Sequence, residues 1–360
     1  MGGKIPLCLL IVLAMAGCGN IGPSSMSRDR FDYMETVAES WKSQMLQNLV
    51  RLRYGDTPVF LEVGQIVANY SFQRSLSANA GLSNSIYVPG LVNGQVGMGA
   101  QGVLTDTPTI TYAPLAGERF ARSMMMPLPV SAILNVLQSG YPADFVFRLG
   151  VQSVNGIDNR RAHLQHVRPA NPEFYFLIRE LTRIQLAGEA GIRRQKLDGE
   201  ESLSLIFRPH IDAAIAESIR TVKKLLDLDP TAHEFRVNYG VLPVNNKEIA
   251  ILTRSILEML KDLASRIEVP EAHVRDHRVG PTPEPDQGPD GEILDLIRIK
   301  HSVDRPDGAF VTTPYQKYWF SIDNQDLRSK RLFTFLMFIF TFVEKHGDEA
   351  APILTIPASR

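Results

Sequence analysis

Cysteine is nearly absent from this chain, with Cys8 and Cys18 the two among 360 residues. So few thiols exclude a disulfide scaffold and a thiolate metal cluster. A surplus of charge of one sign is missing too. The formal net charge is −1, with 38 Lys and Arg against 39 Asp and Glu. That leaves no electrostatic case for nucleic acid, whose binding proteins present a strongly basic face. No apolar run reaches the roughly 20 residues that a membrane-spanning helix needs. There is also no G-x-S-x-G elbow, no S-x-x-K set with its partners and no Walker lysine. Triad members can be drawn from anywhere in a fold, so these gaps narrow the reaction classes without excluding an enzyme.

What is present begins at the N-terminus. Lys4 supplies a short positive start, Ile5 to Ala14 an apolar core, and Met15-Ala16-Gly17-Cys18 a small-residue end. Such a core rises only ~15 Å as a helix against a hydrocarbon layer of roughly 30 Å, so it reads as a secretory signal and not a span. The ending resembles the type II signal peptide of bacterial lipoproteins, whose lipobox normally has Leu where this chain has Met15. The resemblance implies cleavage after residue 17 and lipidation of Cys18, with palmitate-type acyl chains. Cys8 would leave with the leader, which makes Cys18 the sole remaining thiol. Three acyl chains, at ~0.8 kcal/mol per buried CH₂, would hold the protein firmly on a membrane. Gly19 stands where an Asp would favour retention at the inner membrane, so the resemblance implies an outer-membrane protein facing the periplasm. Residues 18–30 read as a lipidated flexible tether.

The remainder has the composition of a packed globular domain, 44% hydrophobic and 21% charged. Met34, Val37, Trp41, Met45 and Leu49 mark an amphipathic helix that Gly55-Asp56 should stop. Strands are expected over 59–72 and 107–112, with a loop or loose hairpin over 78–102. Helices are expected over 117–125 and from Pro129 to Gly140, then a strand over 144–154. Asn171-Pro172-Glu173 reads as a helix start with Asn as N-cap. A strand over 203–207, a helix over 211–226 and a strand over 235–239 follow. Ile249, Leu252, Ile256, Leu260 and Leu263 predict one long helix from Asn246 to Arg266. Strands at 293–299, 309–313 and 317–322, a helix and a last strand at 353–356 complete the chain. Strands and helices mix without a βαβ rhythm, so the expected fold is α+β, a mixed or antiparallel sheet with several amphipathic packing helices. The expected division is a main domain over 31–278, a Pro/Gly-rich linker or loop over 279–291, and a C-terminal strand–helix–strand unit over 292–360 packed on the main domain.

Apparent motifs are weak when weighed against plain alternatives. Gly97-Met98-Gly99-Ala100-Gln101-Gly102 matches G-x-G-x-x-G, but strand-like threonines follow it and no helix start, so it reads as a flexible loop. His273 and His277 are four apart and His163 and His166 three apart, spacings that could hold a metal on a helix. Without a fixed carboxylate partner they read as surface histidines, and no metal or cofactor is assigned. Arg51, Arg53 and Tyr54 read as a capped, solvated helix end, with a ligand-contacting loop as the minority reading. Residues 332–343, the most hydrophobic stretch beyond the leader, are too short to span a bilayer. They read as a buried helix, with a docking surface or a strand as alternatives. Arg328, Lys330 and Arg331 beside them could meet anionic headgroups but read as a solvated face.

The stretches 48–58 and 323–331 are similar to predicted lipoproteins of Gram-negative bacteria that carry no assigned activity. The resemblance implies a compartment and no mechanism. The leading expectation is therefore a lipid-anchored, non-catalytic envelope protein that acts through an envelope protein partner or assembly. The alternatives are a lipid-anchored hydrolase of an envelope polymer or lipid, and a periplasmic ligand-binding receptor, which would need a deep pocket without a nucleophile–base pair.

Overall fold

The computed structural model describes residues 23–67, 70–82, 94–106, 109–162, 167–197, 200–208, 212–344 and 354–357. Helix α1 (Pro23–Arg53) leads into strands β1 (Phe60–Val67), β2 (Tyr70–Leu82), β3 (Gly94–Asp106) and β4 (Thr109–Leu115). Helices α2 (Glu118–Met125), α3 (Val130–Gln138) and α4 (Ala143–Gly150) precede β5 (Val151–Val154) and the short strands β6 (Ile157–Asp158), β7 (Arg161–Ala162) and β8 (Val167–Arg168). Next come α5 (Pro172–Leu186), β9 (Ala190–Leu197), β10 (Glu200–Phe207), α6 (Ala213–Leu225), β11 (Glu234–Tyr239) and β12 (Glu248–Thr253). The last part holds α7 (Ile256–Ser265), α8 (Glu271–Arg275), β13 (Lys300–Ser302), β14 (Val311–Tyr315), β15 (Tyr318–Ile322), α9 (Leu327–Glu344) and β16 (Leu354–Pro357). This is an α+β fold, as the sequence predicts.

Two compact units divide the chain, one within Met1–Phe60 and Ala116–Gly347, the other within Leu61–Leu115 and Asp348–Arg360. The first unit is built on a six-stranded sheet in the order β6-β5-β12-β11-β10-β9. Its pairs are antiparallel except β11 with β12. The parallel pair is joined through residues 240–247 alone, shorter than the dozen or more residues such a crossover usually takes. Alternation along β11 explains its place: Phe235 and Val237 are buried, while Glu234, Arg236 and Asn238 face water. A second, antiparallel sheet has the order β13-β15-β14. The apolar α9 is a core helix, with Leu332, Phe333, Leu336 and Phe340 buried. The smaller unit holds a sheet of order β1-β4-β16 and the hairpin β2-β3.

Several elements depart from expectation. Residues 144–150 form α4, not a strand, because the run from Phe145 to Gly150 is buried throughout and its alternation carries no information. Asp144 in its first turn and Arg148 one turn later suit a helix. The long helix expected over 246–266 is instead β12 followed by α7. Ile249, Ala250 and Ile251 are all buried between neighbouring strands, which mimics a helical stripe. Residues 293–299 form no strand, although Leu296, Ile297 and Ile299 are buried there. The tether expected through residue 30 is helical from Pro23. Along α1, Met45, Leu46, Leu49 and Val50 are buried, while Met34 is exposed. Gly97 to Gly102 lie within β3, paired with β2 from Gly97 opposite Asn79 to Gly102 opposite Arg74, and not in a flexible loop. The final strand pairs with β4, Leu354 opposite Tyr112, so it belongs to the smaller unit and not with α9.

Candidate functional site

The first unit encloses a cavity of about 680 Å³ between one face of its six-stranded sheet and helices α3 to α6. Its floor is Val154 of β5, Ile249 and Ile251 of β12, Val237 of β11, and Leu205 and Phe207 of β10. Its roof is apolar as well: Leu134 and Leu137 of α3, Phe147 of α4, Ile184 of α5 and Val222 of α6. These are the residues that period-2 alternation on the strands and apolar stripes on the helices direct inward. Gln138, Gly140 and Leu186 line the open end and are exposed. Gly140 ends α3 at φ 90°, a left-handed turn suited to glycine, as the sequence predicts.

Among the described residues no acidic or basic side chain lines the cavity. Its polar residues are bonded elsewhere. Gln185 donates to the carbonyls of Leu137 (3.1 Å) and Tyr141 (2.8 Å) and accepts from the Ala143 amide (2.8 Å), which ties α5 to the α3–α4 turn. Thr182 donates to the Ile178 carbonyl at 2.8 Å and Gln138 to the Ile192 carbonyl at 3.4 Å. The chamber therefore offers apolar surface with its amide and hydroxyl donors already engaged, an arrangement suited to hydrocarbon and unsuited to general acid–base work.

Behind α4 lies a buried ionic cluster. Asp262 accepts from Arg160 and, at 3.2 Å, from Arg266; Asp286 accepts from Arg266 at 2.8 Å and from Arg148 at 3.4 Å. Burial pushes the Asp262 carboxyl up, but Arg266, Arg254 and Arg160 together outweigh it and hold it down at about 2. Burial in turn depresses Arg254 and Arg160. The cluster closes the C-terminal end of α4, whose last carbonyls have no helical partner. Asn159 donates to the carbonyls of Arg148 (3.0 Å) and Val151 (2.7 Å), and the Arg254 guanidinium donates to the Arg148 carbonyl at 3.2 Å. A cation at a buried helix C-terminus also complements the helix dipole. Phe147 is held in the cavity wall by this arrangement. Asp286 belongs to the Pro-rich run expected as a linker or exposed loop, yet its side chain is only 7% exposed.

The sites singled out in the sequence are placed as follows. Cys18, His163 and His166 lie outside the described residues. His273, expected at the surface, is buried, and its Nδ1 lies 2.7 Å from the Tyr54 hydroxyl. Burial first, and Arg278 second, lower its pKa; burial raises Tyr54 to about 12. His277 is exposed with φ 56°, just beyond α8, so the two rings do not share a helix face. Among the described residues no group of three or more His, Cys, Asp or Glu is placed to hold a metal ion. Arg53, read as solvated, donates to the carbonyls of Gly280 (2.7 Å) and Pro281 (3.0 Å) and so fastens the Pro-rich run to the end of α1. Arg328 donates to Asp144 at 2.6 Å and to the Asp295 carbonyl at 2.7 Å, and Lys330 to Asn324 at 2.7 Å. No helix among the described residues is long and apolar enough to cross a membrane.

No protein family, curated protein or solved structure matches this chain. Fold and site together define an α+β protein with an apolar cavity roofed by helices.

Proposed function

We propose that this is a lipid-anchored protein of the bacterial cell envelope, held through Cys18 at the outer membrane and facing the periplasm, that binds an apolar ligand without turning it over. The cavity between the six-stranded sheet and the helices carries the binding half of this reading. It is large enough for a small ligand, and its lining residues are apolar or already bonded. That observation favours a ligand receptor over the envelope-partner role that the sequence put first. The anchoring half rests on Met15-Ala16-Gly17-Cys18 and on the lack of any cysteine beyond Cys18.

The anchor is tested by labelling cells with a palmitate analogue and fractionating their membranes. Wild type should carry the label and sediment with outer membrane, and Cys18→Ser should lose both. Unchanged sedimentation of Cys18→Ser would remove the lipid anchor from the proposal.

A further inference from the structure

Resting on the binding reading above, we infer that the cavity takes one long acyl chain, laid across the strands of the sheet with its polar head outside. Length is the first argument. The floor draws on five neighbouring strands, from Ile192 of β9 through Leu205, Val237 and Ile251 to Val154 of β5. Four steps of ~4.8 Å between strands make a slot about 19 Å long. Half of a ~30 Å hydrocarbon layer is ~15 Å, the reach of one membrane-lipid acyl chain.

Exposure supplies the direction of entry. Along that row Ile192 and Leu205 are half-buried, Val237 and Ile251 nearly covered, and Val154 is 1% exposed. The β9 end is therefore the mouth, beside the exposed Leu186 and Gln138, and the β5 end is closed. Chemistry supplies the third argument. With no charged residue among the described residues of the lining, and with Gln185, Thr182 and Gln138 already bonded, a buried headgroup would lose its water without gaining a partner. The head stays at the mouth, and only hydrocarbon enters. The volume of about 680 Å³ lies within the roughly 300–1,000 Å³ of small-ligand sites. A slot of this length suits a chain better than a compact ring system.

The same chain chemistry comes from a free fatty acid or from a lysophospholipid, and both enter the test. Full-length Cys18→Ser protein is titrated with saturated fatty acids from octanoate to stearate, with acyl lysophosphatidylethanolamines of matched length, and with N-phenyl-1-naphthylamine. Affinity should rise about fourfold per methylene until the slot is full, then level off. The tighter of the two series identifies the source. Ala190→Trp places a large ring on the cavity face, opposite Phe207 in register, and should lower affinity at least tenfold. Val154→Phe shortens the closed end and should move the plateau to shorter chains, a shift that partial unfolding would not produce. Affinity independent of chain length, or a profile untouched by both variants, overturns the inference. If the naphthylamine binds, Ala190→Trp abolishes it and no acyl ligand competes, the binding reading stands and the acyl chain falls. If no ligand binds, both fall.

Discussion

Arg160, Arg254 and Arg266 all lie within ion-pair reach of Asp262, so this buried carboxylate faces three guanidinium groups, two of which it shares with Asp286. Removing it strands guanidinium groups in the interior, the arrangement in which a broken buried pair costs most. Asp262→Ala should destabilise the first unit by ~3–5 kcal/mol, read from urea unfolding followed by tryptophan fluorescence. The same residue fixes an acid limb. Its folded pKa of about 2 lies below the ordinary unfolded value near 3.9, so the folded state binds fewer protons between them. That contribution is complete above about pH 4 and is lost as pH falls through about 2. Thermal melts should drop across this window with a shallower slope in Asp262→Asn; equal slopes would discount Asp262 as the cause. None of this was legible locally. Asp286 sits among prolines and glycines that look like a linker, and the Arg160 it pairs with lies far away in sequence.

Helix α7 begins at a local signal that the apolar periodicity around it hides. Ser255-Ile256-Leu257-Glu258 carries a capping box: the Ser255 hydroxyl accepts from the Glu258 amide at 3.2 Å, and the Glu258 carboxylate accepts from the Ser255 amide at 2.9 Å. This S-x-x-E signal marks a helix start in the middle of the apolar stripe that suggested one long helix. Ser255→Ala should cost about 1 kcal/mol, seen as a lower urea midpoint with unchanged far-ultraviolet dichroism. At 171–173 the helix start was legible, with Pro172 opening α5 and Asn171 at its N-cap, but the Asn171 side chain makes no capping hydrogen bond. Its side chain accepts from the Asp158 amide at 2.7 Å instead. Long-range bonding decided that detail, and sequence spacing carries no record of it. The edge strand β9 carries no such mark, because Ala190-Gly191-Ile192-Arg193-Arg194-Gln195-Lys196-Leu197 has little β-forming composition and takes its place by pairing with β10.

For the whole molecule, the α+β class was readable from the mixed order of strands and helices, whereas the cavity was not. Its lining runs from Leu134 to Ile251, and most of its apolar residues, such as Leu134, Ile184, Val222 and Ile249, look in sequence like ordinary core positions. Periodicity says which side of an element faces inward; it does not say whether the opposing faces meet. The exposed Val241, Leu242 and Val244 in the crossover between β11 and β12 were equally unmarked. The central proposal concerns what fills that space in the cell. Native mass spectrometry of the full-length protein, extracted from envelope membranes in a detergent gentle enough to keep non-covalent ligands, reads this directly. One non-covalent acyl lipid per chain, lost in Ala190→Trp, is the result expected; a chain that carries only its covalent modification, with wild type and Ala190→Trp alike, would contradict it.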